Sequence, residues 1–195
     1  MRSGACLLLL WTAAVPAQNL IRDINPAGIN ANGSSSPGEG ASLGGVAIFP
    51  AADGTHGREV WRSDGTAAGT YLLKDIRAGL SSSSPTEFCS VSTRVFFAAD
   101  DGRNGEELWM TDGTPGGTVL VADLRPGALG SSPRGLTFAS GLTSVLFFSA
   151  DDGTSGREPW YLDLAPTFGV PTLAGDLRTG SASSMTTAGT FWRAS

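Results

Sequence analysis

An all-β fold of four-stranded antiparallel units, about 48–52 residues each, is what this sequence predicts, on three observations. A set of markers returns in one order at one period. Gly and Pro, 27 and 11 of 195 residues, suffice for many tight turns without making a low-complexity chain. Between the turns lie short apolar segments rich in Phe, Val and Trp, and helix-favouring runs are nearly absent after the first twenty residues.

The markers are specific. Glu59-Val60-Trp61-Arg62-Ser63-Asp64-Gly65-Thr66 returns as Glu107-Leu108-Trp109-Met110-Thr111-Asp112-Gly113-Thr114, and a degraded copy runs Glu158-Pro159-Trp160-Tyr161-Leu162-Asp163. The tryptophans stand 48 and 51 residues apart. Ile48-Phe49, Phe96-Phe97 and Phe147-Phe148 precede them, each leading into an acidic turn centred on Asp53-Gly54, Asp101-Gly102 or Asp152-Gly153. Asp75-Ile76-Arg77, Asp123-Leu124-Arg125 and Asp176-Leu177-Arg178 follow, with an earlier member at Asp23-Ile24-Asn25. Ser-Ser-Pro ends at Pro37, Pro85 and Pro133, 48 residues apart both times.

The second unit shows the expected strands: Glu87–Ser92, Arg94–Ala99, Glu106–Thr111 and Thr118–Leu124. Gly, Asp and Asn fill the gaps because they tolerate the positive φ of tight hairpins. Phe96-Phe97 and Val119-Leu120-Val121 suit strands buried on both faces. A single thin sheet cannot bury both faces, so like units must pack side by side, as in a β-propeller-like array of four-stranded antiparallel blades. A sandwich would not explain the repetition, and solenoid coils are shorter. The divisions are 1–17 leader, 18–36 N-terminal strand (Leu20–Ile24) and linker, 37–84 first repeat, 85–132 second, 133–182 degenerate third, and 183–195 the start of a fourth. An incomplete propeller is favoured slightly over a four-bladed ring closed by the two ends.

Glu107 to Thr114, followed by Pro115-Gly116-Gly117-Thr118, resembles the signature of the bacterial ELWxxDGT-repeat proteins. Glu59 to Thr66 with Gly69-Thr70 matches except for Val60 in place of Leu, while the third copy has Pro159 for Leu and Leu164-Ala165 for Gly-Thr. The resemblance covers nearly the whole chain after residue 17. It implies an exported bacterial protein with propeller-like repeats and transfers no catalytic residue.

At the amino terminus, Arg2 precedes the apolar stretch Ala5 to Ala14, and Val15-Pro16-Ala17 supplies small residues for signal-peptidase cleavage before Gln18. That pattern predicts secretion or a cell-surface location, and no stretch approaches the roughly 20 apolar residues of a membrane span. Cleavage would remove Arg2 and no acid, leaving 12 basic against 18 acidic residues, a net charge of −6. Such a chain has no electrostatic footprint for nucleic acid. Cys89 would be the one remaining cysteine, read as a small apolar filler.

Asp53, Asp100, Asp101, Asp151 and Asp152 are the strongest candidates for chemistry, since hard oxygens on a loop suit Ca²⁺. Their spacing fits neither an EF-hand nor the glycine-rich calcium nonapeptide, and Asp-Gly is also what a hairpin selects for backbone reasons, which weighs more. No other cofactor is indicated. Asp75, Asp123 and Asp176 are expected to pair with the neighbouring Arg or cap a turn. Trp61, Trp109 and Trp160 mark packing between units rather than platforms for sugars, and Glu59, Glu107 and Glu158 would pair with Arg or face solvent. His56, in one unit only, is expected to be exposed and not catalytic. No nucleophile–base set, phosphate loop or zinc cluster is visible.

The expected function is therefore that of an exported non-enzymatic scaffold that binds a protein or glycan. The alternatives are a secreted glycan-directed hydrolase with acids converging in a central channel, and a fragment of a longer repeat protein.

Overall fold

The computed structural model describes residues 20–25, 34–140, 144–164 and 169–177. These residues form three four-stranded antiparallel sheets. The first contains β1 (Ala41–Leu43), β2 (Val46–Asp53), β3 (Gly57–Ser63) and β4 (Tyr71–Lys74). The second contains β5 (Thr86–Val91), β6 (Arg94–Asp100), β7 (Glu106–Thr111) and β8 (Val119–Ala122). The third contains β9 (Arg134–Ser140), β10 (Ser144–Asp151), β11 (Arg157–Asp163) and β12 (Thr172–Leu173). Strands follow in chain order within each sheet, as hairpin connections dictate.

Register carries the repeat into three dimensions. Phe49 faces Trp61 across β2 and β3, Phe97 faces Trp109, and Phe148 faces Trp160. Directly paired residues lie on one face of a sheet, so each unit presents a Phe–Trp pair on the same side. The next residue of each strand points the other way, giving Ile48, Phe96 and Phe147 to the opposite face. In the first two sheets a register shift falls beside the tryptophan, between Val60 and Trp61 and between Leu108 and Trp109.

The sheets bury these faces against one another. One cluster joins Leu43, Ile48, Val60, Leu73 and Ile76 of the first unit to Val95, Phe97, Ala99 and Trp109 of the second. Another joins Val91, Phe96 and Leu108 of the second to Leu146, Phe148, Ala150, Trp160 and Leu162 of the third. The middle sheet is thus covered on both sides, and Phe96, Phe97 and Leu108 are fully buried. Each such side chain contributes roughly 1.5–3 kcal/mol relative to exposure. Between sheets the approach is through the first strands, β1 beside β5 and β5 beside β9.

Two expectations change. Residues 20–24 form no strand, because a fourth strand needs a third beside it and none is present among the described residues. In the third unit, Pro159 sits within β11 and supplies no N–H. The Val60–Lys74 and Leu108–Ala122 ladder pairs of the other units are reduced there to one bond, from the Ala174 amide to the Pro159 carbonyl, and β12 is cut to two residues. Residues 1–19, where the leader is expected, residues 165–168 and the 183–195 segment lie outside the described residues.

Candidate functional site

The repeated glutamates are the most informative side chains. Glu59, Glu107 and Glu158 are fully buried, which overturns the expectation of an arginine partner or a solvent-facing position. Glu59 accepts hydrogen bonds from the amides of Ile76 (2.9 Å) and Ser83 (2.8 Å) and from the Ser83 hydroxyl. Glu107 accepts from the amides of Leu124, Arg125 and Ser131 and from the Ser131 hydroxyl. Glu158 accepts from the amide of Leu177. A strand-borne carboxylate thereby clips both ends of the loop that leaves its unit. The Ser83 and Ser131 carbonyls also reach the next unit, accepting from the amides of Asp100 and Asp151. Glutamate and serine together form a latch at each crossover between sheets. Burial lifts the carboxyls of Glu59 and Glu107 above the ordinary range, with the serine hydroxyls and backbone amides pulling the other way.

The Asp-Gly-Thr signature builds a turn. Asp64 Oδ1 accepts from the Thr66 amide and hydroxyl, the Gly69 amide donates to Thr66 Oγ1, and the Thr70 hydroxyl donates to the Thr66 carbonyl. Asp112, Thr114, Gly117 and Thr118 repeat every bond. Glycine at the far end leaves room for the carboxylate, because a Cβ on Gly69 or Gly117 would lie 2.0 Å from it and push it off the turn. The Thr66 hydroxyl beside Asp64 and the Thr114 hydroxyl beside Asp112 hold these carboxyls below their ordinary range. A lowered folded pKa means that this stabilisation is complete above the unfolded value of 3.8 and is lost as pH falls through the folded value. Asp112→Asn keeps an acceptor oxygen but cannot titrate. Melting curves between pH 7 and pH 2.5 are expected to show a shallower acid loss in this variant than in the parent.

The acidic turns use their carboxylates on their own backbones. Asp53 accepts from the amides of Thr55 and His56, Asp101 from those of Arg103 and Asn104, and Asp152 from those of Thr154 and Ser155. Asp100 and Asp151 accept from Gly102 and Gly153 and turn their second oxygen to the preceding unit. Arg77 meets Asp100 at 2.5 Å and Arg125 meets Asp151 at 2.7 Å. The arginine of the Asp-Ile/Leu-Arg segment therefore reaches the following unit rather than its neighbouring aspartate. Asp75 instead accepts from the Gly79 amide, while Asp123 and Asp176 are exposed. Among the described residues no group of three or more His, Cys, Asp or Glu is gathered to hold a metal ion.

His56 is half-buried rather than exposed, with Nδ1 2.7 Å from Asp53 Oδ2 and 2.9 Å from Thr55 Oγ1. Both partners meet the same ring nitrogen and hold the imidazole against its own turn. The Asp53 hydrogen bond raises the imidazole pKa above its ordinary value. Trp61, Trp109 and Trp160 are only 4%, 7% and 9% exposed, which leaves no open ring face for a sugar. Cys89 packs at the edge of the second cluster, and burial pushes its thiol up.

One cleft collects side chains from all three units. It has a volume of about 480 Å³ beside the first strands, lined among others by Glu39, Arg58, Thr86, Glu87, Phe88 and Leu136. Arg58 is held by the Ser36 carbonyl at 2.5 Å, and Glu87 Oε2 accepts from the Gly135 amide at 2.8 Å. Phe88 stacks on Phe97 at 5.4 Å, so its position is set by the inter-sheet core. Sequence reasoning missed this cleft and the latch. For the latch a signal existed, since Glu59–Ser83 and Glu107–Ser131 share a spacing of 24 residues.

No family model, curated protein or solved structure matches the chain.

Proposed function

We propose that this chain is an exported, non-enzymatic scaffold of propeller-like repeats related to the ELWxxDGT-repeat proteins, presenting the first-strand cleft to a polar ligand of the glycan class. The observation that supports it most is the consumption of the repeated polar residues by the fold itself. Asp64, Asp112, Glu59 and Glu107 each accept hydrogen bonds from the chain's own donors, so these signature acids serve the turns and crossovers of the fold. The cleft has what a polar ligand needs: two carboxylates, a guanidinium, a hydroxyl and a fixed aromatic edge. No helix among the described residues is long and apolar enough to cross a membrane.

Calorimetry and product analysis on a panel of soluble glycans test this reading. Binding without turnover is expected, with at least a ten-fold loss of affinity in Thr86→Arg, which fills the cleft. Turnover abolished by a single Asp or Glu substitution would replace the scaffold by a hydrolase.

A further inference from the structure

We propose that a second copy of this chain docks head-to-tail on the first, the outer face of its third sheet against the outer face of the first sheet. The two faces are halves of an interface that the molecule already builds twice. On the first sheet, Ala47, Phe49 and Trp61 stand where the second sheet has Val95, Phe97 and Trp109, the residues it turns toward its predecessor. On the third sheet, Phe147, Pro159 and Tyr161 stand where the second has Phe96, Leu108 and Met110, which it turns toward its successor.

Burial shows that the two halves are less filled than their internal counterparts, although Trp61 is only 4% exposed. Val95, Phe97, Phe96 and Leu108 are fully buried, whereas Phe49, Phe147, Pro159 and Tyr161 are half-buried and Ala47 is exposed. Leu177 is 70% exposed, although its counterpart Ile76 is 8% exposed in the first inter-sheet cluster. The outer face of the first sheet also keeps the polar contact of the internal interface. Arg22 donates to the Thr70 carbonyl, as Lys74 donates to the Thr118 carbonyl 48 residues further on. Residues 20–24 thus lie where the exit segment of a preceding unit would lie, over a cavity of about 600 Å³ that also touches Ala47 and Phe49. The exit segment of a second copy, which carries the exposed Leu177, fits that place in exchange for Ile24.

Continuity with the internal interfaces is the reason for choosing a second copy, because the same register would run unbroken from chain to chain. The two faces differ, so the contact is heterologous and either closes into a ring or extends. The docking does not depend on what the cleft binds.

Sedimentation of the full chain and two variants tests it. The parent is expected above monomer mass at about 100 µM. Ala47→Glu on one face and Phe147→Glu on the other should each be monomeric, yet an equimolar mixture should recover dimer, because each variant keeps the half the other lacks. Thr172→Glu, exposed and paired with Tyr161, serves on the third sheet should Phe147→Glu lose its cooperative melt. A monomeric parent at that concentration, variants indistinguishable from the parent, or a mixture that stays monomeric would each overturn the proposal.

Discussion

Glu107→Ala is expected to lower stability by about 3–5 kcal/mol, the largest loss of any single latch residue. The carboxylate is fully buried and accepts four hydrogen bonds. Removing it leaves three amides and a hydroxyl without their acceptor, and each unsatisfied buried donor costs about 1–3 kcal/mol before relaxation. Loop movement recovers part of that, and the effects are not additive. In a chain of this length the loss corresponds to roughly 6–20 °C in melting temperature. Glu107→Gln should lie between alanine and the parent, because its amide nitrogen must face donors while its oxygen still accepts. Thermal melts of the three proteins at pH 7 read the series. A glutamine variant as stable as the parent would show that the acceptor set matters less than the packing of the side chain. The cost should fall on both neighbouring sheets, since Ser131 ties Glu107 to Asp151 at the end of β10 in the third unit.

Gly130→Ala is expected to cost more than 3 kcal/mol, against about 1–2 kcal/mol for Gly127→Ala in the same loop. Both glycines have positive φ, 66° and 103°, where an L side chain costs about 1–2 kcal/mol. The difference is space. A Cβ on Gly130 would lie 2.3 Å from the Glu106 amide nitrogen, whereas one on Gly127 meets nothing within 4 Å. The clash is with backbone at the start of β7, so no side chain can rotate away. Gly105 faces the same contact from the other side, with its Cβ 2.4 Å from the Gly130 nitrogen, and Gly105→Ala should behave like Gly130→Ala. Chemical denaturation of the three variants checks the ranking. Equal losses at Gly127 and Gly130 would mean that the crossover loop moves freely, contrary to its hydrogen bonds at Ser131 and Ser132.

Much of the architecture was legible from residue order. The second unit was expected at Arg94–Ala99 and Glu106–Thr111 and forms Arg94–Asp100 and Glu106–Thr111. Asp-Gly and Asp-Gly-Thr mark turns because a short carboxylate captures the amides two and three residues ahead, a contact needing no distant partner. The N-terminal strand failed for the complementary reason. Leu20–Ile24 has the pattern of a fourth strand, but a ladder requires a neighbour.

The roles of the charged side chains were not legible. Glu59 next to Trp61 gives no hint that it will be buried, since its donors lie 17 and 24 residues away and reach it only when the exit loop folds back over the strand. Arg77 stands two residues from Asp75 but pairs with Asp100, because stacking brings the next unit's turn closer than the chain's own aspartate. The first-strand cleft is likewise a product of stacking, drawing its lining from all three units.

Residue order by itself determined the period, the strands and the turns, because alternation and positive-φ preference act within a few bonds. Only the tertiary structure decided which carboxylates are buried and which arginine crosses to which unit. Those outcomes depend on how one sheet lies on the next, and groups tens of residues apart meet only once that stacking exists.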